Sequence, residues 1–385
     1  MGKREKEQLN GALSEHLNTI HETLQALNQT ASSSLEKGSW KEVIQMGEHL
    51  YKQATMVGML WTGEAPEVKA LEENMASYFN MLQGLLLLSH SSTVGAGPTL
   101  SSCIHVSIKQ VVDSSFMLMK ESVSSYVTAV QSLRFTYRLL YLWHIAFKGS
   151  NDKKHKLSIP QLVGTVWEAC SALKKTPATN ITAIGRAMTQ VAVSMKDVLR
   201  EMNELKPASS DVGDESTAQD SAEGESKSQD SDDSFAGDLG DDLSPEEMKI
   251  ARLTTDVVSA TLLVIKELIR SITSLLKQES SADTATFVPS LERLLKLSQE
   301  IGLQVDELGA SLYPPQEISA LKAAIEKISR STDEILVELE KLEGCSEDFG
   351  KACTGLRSSL KQLEAELDQS DATDTAAKIE NLAIS

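Results

Sequence analysis

The feature that most constrains this chain is an acidic segment in its middle, from Pro207 to Ser244. It contains twelve Asp or Glu residues, Lys227 as its one basic residue, and almost no large apolar side chain. Such a segment cannot bury enough apolar surface to offset the conformational entropy lost on folding. We therefore predict a disordered acidic linker over 207–244. It divides the chain into an N-terminal helical bundle, 1–206, and a C-terminal helical region, 245–385, whose docking on the first bundle stays open.

The rest of the 385-residue chain has the composition of helices rather than sheets. Apolar residues make up 41% of the sequence but aromatic residues only 4%, and Leu, Ala, Ser, Lys and Glu are abundant. Apolar side chains recur at three- and four-residue spacing throughout, which is the period of an amphipathic helix. We predict an all-α fold in which bundles of long antiparallel helices are joined by the acidic linker.

The charge balance disfavours nucleic acids and membranes as partners. Of the net charge of −18, the linker alone contributes −11, and an acidic protein is repelled by phosphate backbones and anionic lipid. The chain starts without the apolar stretch of a signal peptide, and no uncharged apolar run reaches 18 residues. The four scattered cysteines are typical of free thiols in a reducing compartment. We expect a location in cytoplasm and nucleus.

Ser244-Pro245-Glu246-Glu247 has the pattern of a helix N-terminus. Serine at the N-cap, proline at the first helical position and glutamate at the third predict a capping box. Ser244-Pro245 is also a candidate for phosphorylation by a proline-directed kinase. Thr217, with Asp220 three residues later, matches the pattern that acid-directed kinases favour. For the segment as a whole, the alternative is a plain solvated spacer.

A regular apolar stripe follows in the second half of the chain. Its members are Ile318, Leu321, Ile325, Ile328, Ile335, Leu339 and Leu342, interrupted by Thr332. One interpretation is a zipper-like seam for a partner helix, with Leu321, Ile328, Ile335 and Leu342 as its contacts. The other, which we favour, is that these four residues face the core of an intramolecular bundle.

Tyr313-Pro314-Pro315 predicts a sharp corner between two helices. The residue before a proline leaves the helical region, and the second proline can restart a helix in its first turn. We expect Tyr313 to be substantially buried at this bend.

No pattern for catalysis, a cofactor or a metal ion is found. The sequence lacks a nucleophile elbow, a phosphate-binding loop and paired metal-ligand motifs. Two Arg-x-Leu tripeptides, at Arg138 and Arg293, match a short cyclin-docking pattern, but both fall inside predicted helices. These observations favour an interaction protein over an enzyme and predict no cofactor.

Several segments together resemble the cyclin-D-binding protein family known as GCIP. They are Val166-Trp167-Glu168-Ala169-Cys170, the acidic middle, the helix opening at Ser244, and Asp306-Glu307-Leu308-Gly309-Ala310-Ser311-Leu312-Tyr313-Pro314-Pro315. The resemblance implies an all-helical, non-enzymatic protein that binds D-type cyclins and helix–loop–helix transcription regulators. It also implies negative regulation of cell-cycle progression and transcription. The alternative is a cytoskeletal or adhesion scaffold similar to vinculin or α-catenin, because a fold does not fix a function.

Overall fold

The computed structural model describes residues 3–27, 36–62, 67–132, 157–206, 243–275, 284–342 and 346–384. All regular elements in these ranges are helices, so the all-α prediction is confirmed. Residues 207–242 of the predicted acidic linker lie outside the described residues.

The contacts divide the chain into two compact units. Unit 1 comprises 1–183 together with 284–288, and unit 2 comprises 184–283 and 289–385. The described part of unit 1 contains α1 (Lys3–Leu27), α2 (Trp40–Thr62), α3 (Val68–Ser92), α4 (Pro98–Ser132), α5 (Ile159–Ala172) and a short 3-10 helix (Leu173–Lys175). The remaining helices are α6 (Asn180–Asn203), α7 (Pro245–Leu275), α8 (Thr284–Ala310), α9 (Ile318–Lys341) and α10 (Glu347–Ile384).

In unit 1, α2 packs between α3 and α5, while α1 packs on α3 and α4 packs on α5. Tyr78 of α3 is fully buried and donates a hydrogen bond from its hydroxyl to Ser115 Oγ of α4, at 2.8 Å. Gly58 of α2 lets the helix approach Val163 of α5 closely, since a Cβ there would lie 2.9 Å from Val163 Cγ2. Apolar side chains make up most of the core of this unit, as the helical periodicity predicts, and a few polar residues such as Ser114 and Ser122 are buried as well.

The boundary between the units differs from the predicted one at residue 206. All but the first turn of α6 belongs to unit 2, because this helix packs against α8. A Cβ at Gly302 would lie 3.0 Å from Val191 Cγ1, and one at Gly309 would lie 2.8 Å from Val198 Cγ1. Both partners advance by seven residues in the same direction, so α6 and α8 run parallel.

This arrangement also changes the role of the acidic segment. The Leu243 backbone N–H donates a hydrogen bond to the Lys206 carbonyl, at 3.1 Å, and Leu243 is fully buried. Both described ends of the segment therefore lie side by side in unit 2. The segment connects α6 to α7, and the contacts place the end of α6 and the start of α7 in the same unit.

In unit 2, α10 packs on α7 and on α9. Lys249 of α7 forms an ion pair with Glu366 of α10 at 2.6 Å, and Asp333 of α9 forms one with Arg357 of α10 at 2.6 Å. Arg293 of α8 pairs with Glu334 of α9. Lys322 of α9 also pairs with Asp368 of α10, so residue numbers rise on α9 as they fall on α10 and these two helices are antiparallel, as predicted. The parallel pair α6 and α8 departs from that prediction.

Candidate partner-binding surfaces

The four residues of the predicted zipper-like seam lie in the core of unit 2. Leu321, Ile328 and Ile335 are fully buried, and Leu342 is 5% exposed. Ile325, Leu339 and Thr332 of the same stripe are buried as well. A partner helix therefore reaches this stripe only after unit 2 opens.

The corner at Tyr313-Pro314-Pro315 forms between α8 and α9, but the prediction that Tyr313 is buried is wrong. Tyr313 is 46% exposed, whereas its neighbour Leu312 is fully buried. The reason is helical phase: Leu312 continues the buried stripe of α8 just beyond the end of that helix, so the next residue points away from the core. Pro315 is exposed and Pro314 is half-buried.

Gln316, which the sequence did not single out, fixes this corner to the rest of unit 2. Its Nε2 donates hydrogen bonds to the Glu247 carbonyl, at 3.0 Å, and to the Leu312 carbonyl, at 3.2 Å. The corner therefore rests on the first turn of α7, and the inward-facing residue is the glutamine rather than the tyrosine.

The capping box at the start of α7 is confirmed. The Ser244 backbone N–H donates to Glu247 Oε2 at 2.9 Å, and the Glu247 backbone N–H donates to Ser244 Oγ at 3.2 Å. Ser244 is half-buried in this arrangement. The other candidate for phosphorylation, Thr217, lies outside the described residues.

The Arg-x-Leu tripeptide at Arg293 is not presented as a docking peptide. Leu294 and Leu295 are buried in the core of unit 2, and Arg293 is held by Glu334. The tripeptide at Arg138 lies outside the described residues.

Unit 1 carries an exposed apolar surface that sequence reasoning missed. The ring of Tyr51 in α2 stacks on Trp167 of α5, with centroids 5.1 Å apart, and Trp167 Nε1 donates to Thr55 Oγ1 at 3.1 Å. On the same outer side of α2, Met59 is 71% exposed and Met56 is 55% exposed. Trp, Tyr and Met are enriched at protein interfaces. We call Tyr51, Met56, Met59 and Trp167 the α2/α5 surface.

An open groove lies on the other side of α2, between α2 and α3. It has a volume of about 600 Å³ and is lined by Met46 of α2 and by Glu73, Ala76, Ser77, Asn80 and Met81 of α3. Its shape and apolar lining are those of a shallow contact surface and not of an enclosed catalytic pocket.

Among the described residues, no cysteine forms a disulfide. Cys170 and Cys353 are buried and Cys103 is half-buried, while Cys345 lies outside the described residues. Burial raises the pKa of the Cys170 thiol to about 12, which keeps it protonated and unreactive at neutral pH. Among the described residues, no group of three His, Cys, Asp or Glu side chains is placed to hold a metal ion.

Family models match both halves of the chain. The N-terminal model of the Grap2 and cyclin-D-interacting family matches residues 42–208, and its C-terminal model matches residues 228–337. This chain belongs to that family. The resemblance expected from the 306–315 corner and from the segment around Trp167 is thus confirmed.

A curated relative carries a more specific name. The cyclin-D1-binding protein 1 homolog of Xenopus laevis is 25% identical over 199 residues, which is 51% of this chain and 56% of that protein. The match therefore spans little more than half of the relative's length. Within the described residues, we find no helix long and apolar enough to cross a membrane.

Proposed function

We propose that this chain is a non-enzymatic regulatory binding protein whose partner is a D-type cyclin. The observation that carries the proposal is the match of both family models in order along the chain, together with the name of the Xenopus laevis relative. The fold supports it, because amphipathic helices are among the elements by which proteins recognise other proteins.

The distribution of charge supports a protein partner over a nucleic acid. Residues 1–183 contain 17 basic and 15 acidic residues, whereas residues 184–385 contain 20 basic and 40 acidic residues. The acidic excess therefore lies entirely in the second part of the chain, and it repels a phosphate backbone. We therefore do not propose that the chain binds DNA directly.

The biological outcome that we propose is negative regulation of cell-cycle progression and transcription, by sequestering the cyclin in cytoplasm and nucleus. The relative's printed name refers to cyclin D1 and to no helix–loop–helix factor. Binding of helix–loop–helix regulators therefore stays a prediction from the sequence resemblance.

Capture from cell extract tests the proposal against the scaffold alternative. Tagged full-length chain is incubated with extract, and an unrelated helical protein of similar negative charge serves as control for electrostatic capture. We expect D-type cyclins in the eluate of the chain and not of the control. Enrichment of actin or adhesion proteins without cyclins would replace the proposal with the vinculin-like or α-catenin-like scaffold.

A further inference from the structure

In three helices of unit 2, the row of apolar residues that faces the core is interrupted by buried Ser or Thr residues. In α8 the stripe runs through Leu291, Leu294, Ser298, Ile301, Val305 and Leu308. The stripe of α9 is interrupted by Thr332 in the same way, and that of α7 by Thr254 and Thr261. Each of these hydroxyl residues is no more than 1% exposed. We call Thr254, Thr261, Ser298 and Thr332 the hydroxyl layer.

The relative alignment of the helices places the four residues of the hydroxyl layer at similar heights along the bundle axis. The Lys249–Glu366, Asp333–Arg357 and Arg293–Glu334 pairs fix which residues of neighbouring helices lie side by side. Counted from these pairs, the four hydroxyl residues fall within about two helical turns, or about 10 Å, along the bundle axis. The layer is therefore a band across the middle of unit 2.

The hydrogen bonds of the layer stay within single helices. Thr254, Thr261, Ser298 and Thr332 each donate to the carbonyl four residues earlier in the same helix, at 2.7–2.8 Å. These bonds satisfy the buried hydroxyls but do not join one helix to another. Each hydroxyl also occupies a place where a methyl group would add apolar contact between helices.

We infer that the hydroxyl layer keeps the free energy of opening of unit 2 low, and that the opened unit presents the α9 stripe of Leu321, Ile328, Ile335 and Leu342 to the cyclin. This inference rests on the proposed function. The stripe is inaccessible in the closed unit, so only the molecules in which unit 2 is open can bind the cyclin through it. The apparent dissociation constant is then the intrinsic constant divided by that open fraction.

Replacing hydroxyl groups by methyl groups tests the inference without changing side-chain shape. The variant is Thr254→Val with Thr332→Val in the full chain. The matched control is Thr273→Val, since Thr273 makes the same bond to its own helix, at 2.7 Å to the Ile269 carbonyl, but is exposed. Two quantities are measured: amide hydrogen exchange of α9 in the free protein, and affinity for a purified D-type cyclin.

We expect the double variant to slow exchange of the α9 amides about tenfold and to weaken cyclin binding by the same factor, because both follow the open fraction. The control leaves both unchanged. Slower exchange with unchanged affinity would overturn the assignment of the α9 stripe, and unchanged exchange would overturn the role of the hydroxyl layer.

A variant of unit 1 separates this inference from the exposed alternative. Met59→Asp changes the α2/α5 surface and leaves α9 intact, so we expect unchanged cyclin affinity. Loss of binding in Met59→Asp alone would place the cyclin on unit 1 and overturn the inference. If the parent chain binds no cyclin, the proposed function is wrong, and so is the assignment of the cyclin to the α9 stripe. The hydrogen-exchange measurement still tests whether the hydroxyl layer lowers the free energy of opening of unit 2.

Discussion

Gly309 of α8 packs directly against Val198 of α6, where a Cβ on the glycine would lie 2.8 Å from Val198 Cγ1. Gly309 lies inside the segment that carries the family resemblance, just before the Tyr313-Pro314-Pro315 corner. The segment thus has a structural role in holding α6 against α8, and this contact makes α6 part of unit 2.

Gly309→Ala tests that contact. The added methyl group overlaps a stiff β-branched side chain, and we expect it to lower the free energy of unfolding of unit 2 by about 1–3 kcal/mol. Gly355→Ala is the matched control, because nothing lies within 4 Å of its Cβ position on α10. The control gains up to about 1 kcal/mol from helix propensity. Thermal melting of the two variants checks the prediction, and equal melting temperatures would contradict the close packing.

Cleavage between α6 and α7 tests whether the acidic segment closes one unit. A protease site absent from the rest of the chain is placed near residue 225, and the protein is cut under native conditions. We expect both fragments to elute together in gel filtration, since α6 packs on α8 and Leu243 pairs with Lys206.

Val198→Asp in the same cleavable chain is the comparison, because it places a carboxylate at the α6–α8 contact and weakens the association. Separate elution of the fragments without that substitution would show that the segment connects independent units.

The capping box gives the unmodified Ser244 side chain a stabilising role at the start of α7. Ser244→Ala removes the side-chain acceptor of the Glu247 N–H and costs about 1 kcal/mol. Ser259→Ala, at an exposed position of the same helix, should stay within about 0.5 kcal/mol of the parent. Urea unfolding measures both, and a Ser244→Ala chain as stable as the Ser259→Ala chain would show that the cap is not needed.

At the corner between α8 and α9, we expect substitution of Gln316 to lower stability more than substitution of Tyr313. Gln316→Ala removes a side-chain donor to the Glu247 and Leu312 carbonyls and should cost about 1 kcal/mol. Tyr313→Ala changes an exposed side chain and should cost no more than about 0.5 kcal/mol. A larger loss of melting temperature for Tyr313→Ala than for Gln316→Ala would restore the original expectation of a buried tyrosine.

Features that depend on neighbouring residues could be predicted from the sequence. The cap at Ser244 and Glu247 is three residues long, and the α9 stripe repeats within one helix, so local periodicity is enough to find both. The exposure of Tyr313 was also readable: extending the α8 stripe from Leu291 places Leu312 in the core and turns Tyr313 outward.

Features that depend on distant residues could not be predicted in the same way. Tyr51 and Trp167 are 116 positions apart in the sequence but stack in the structure. The membership of α6 in unit 2 depends on Gly302 and Gly309, more than a hundred residues later, whereas the acidic segment that follows α6 suggested a boundary there. Composition predicts which segments are too polar to form a core, but it does not predict which helices pack together.

Titration of the purified full-length chain with a purified D-type cyclin tests whether the two proteins bind each other directly. We expect saturable binding and a complex that elutes ahead of both proteins in gel filtration. Absence of heat in calorimetry, together with separate elution of the two proteins at concentrations of about 10 µM or more, where micromolar complexes form, would contradict this expectation.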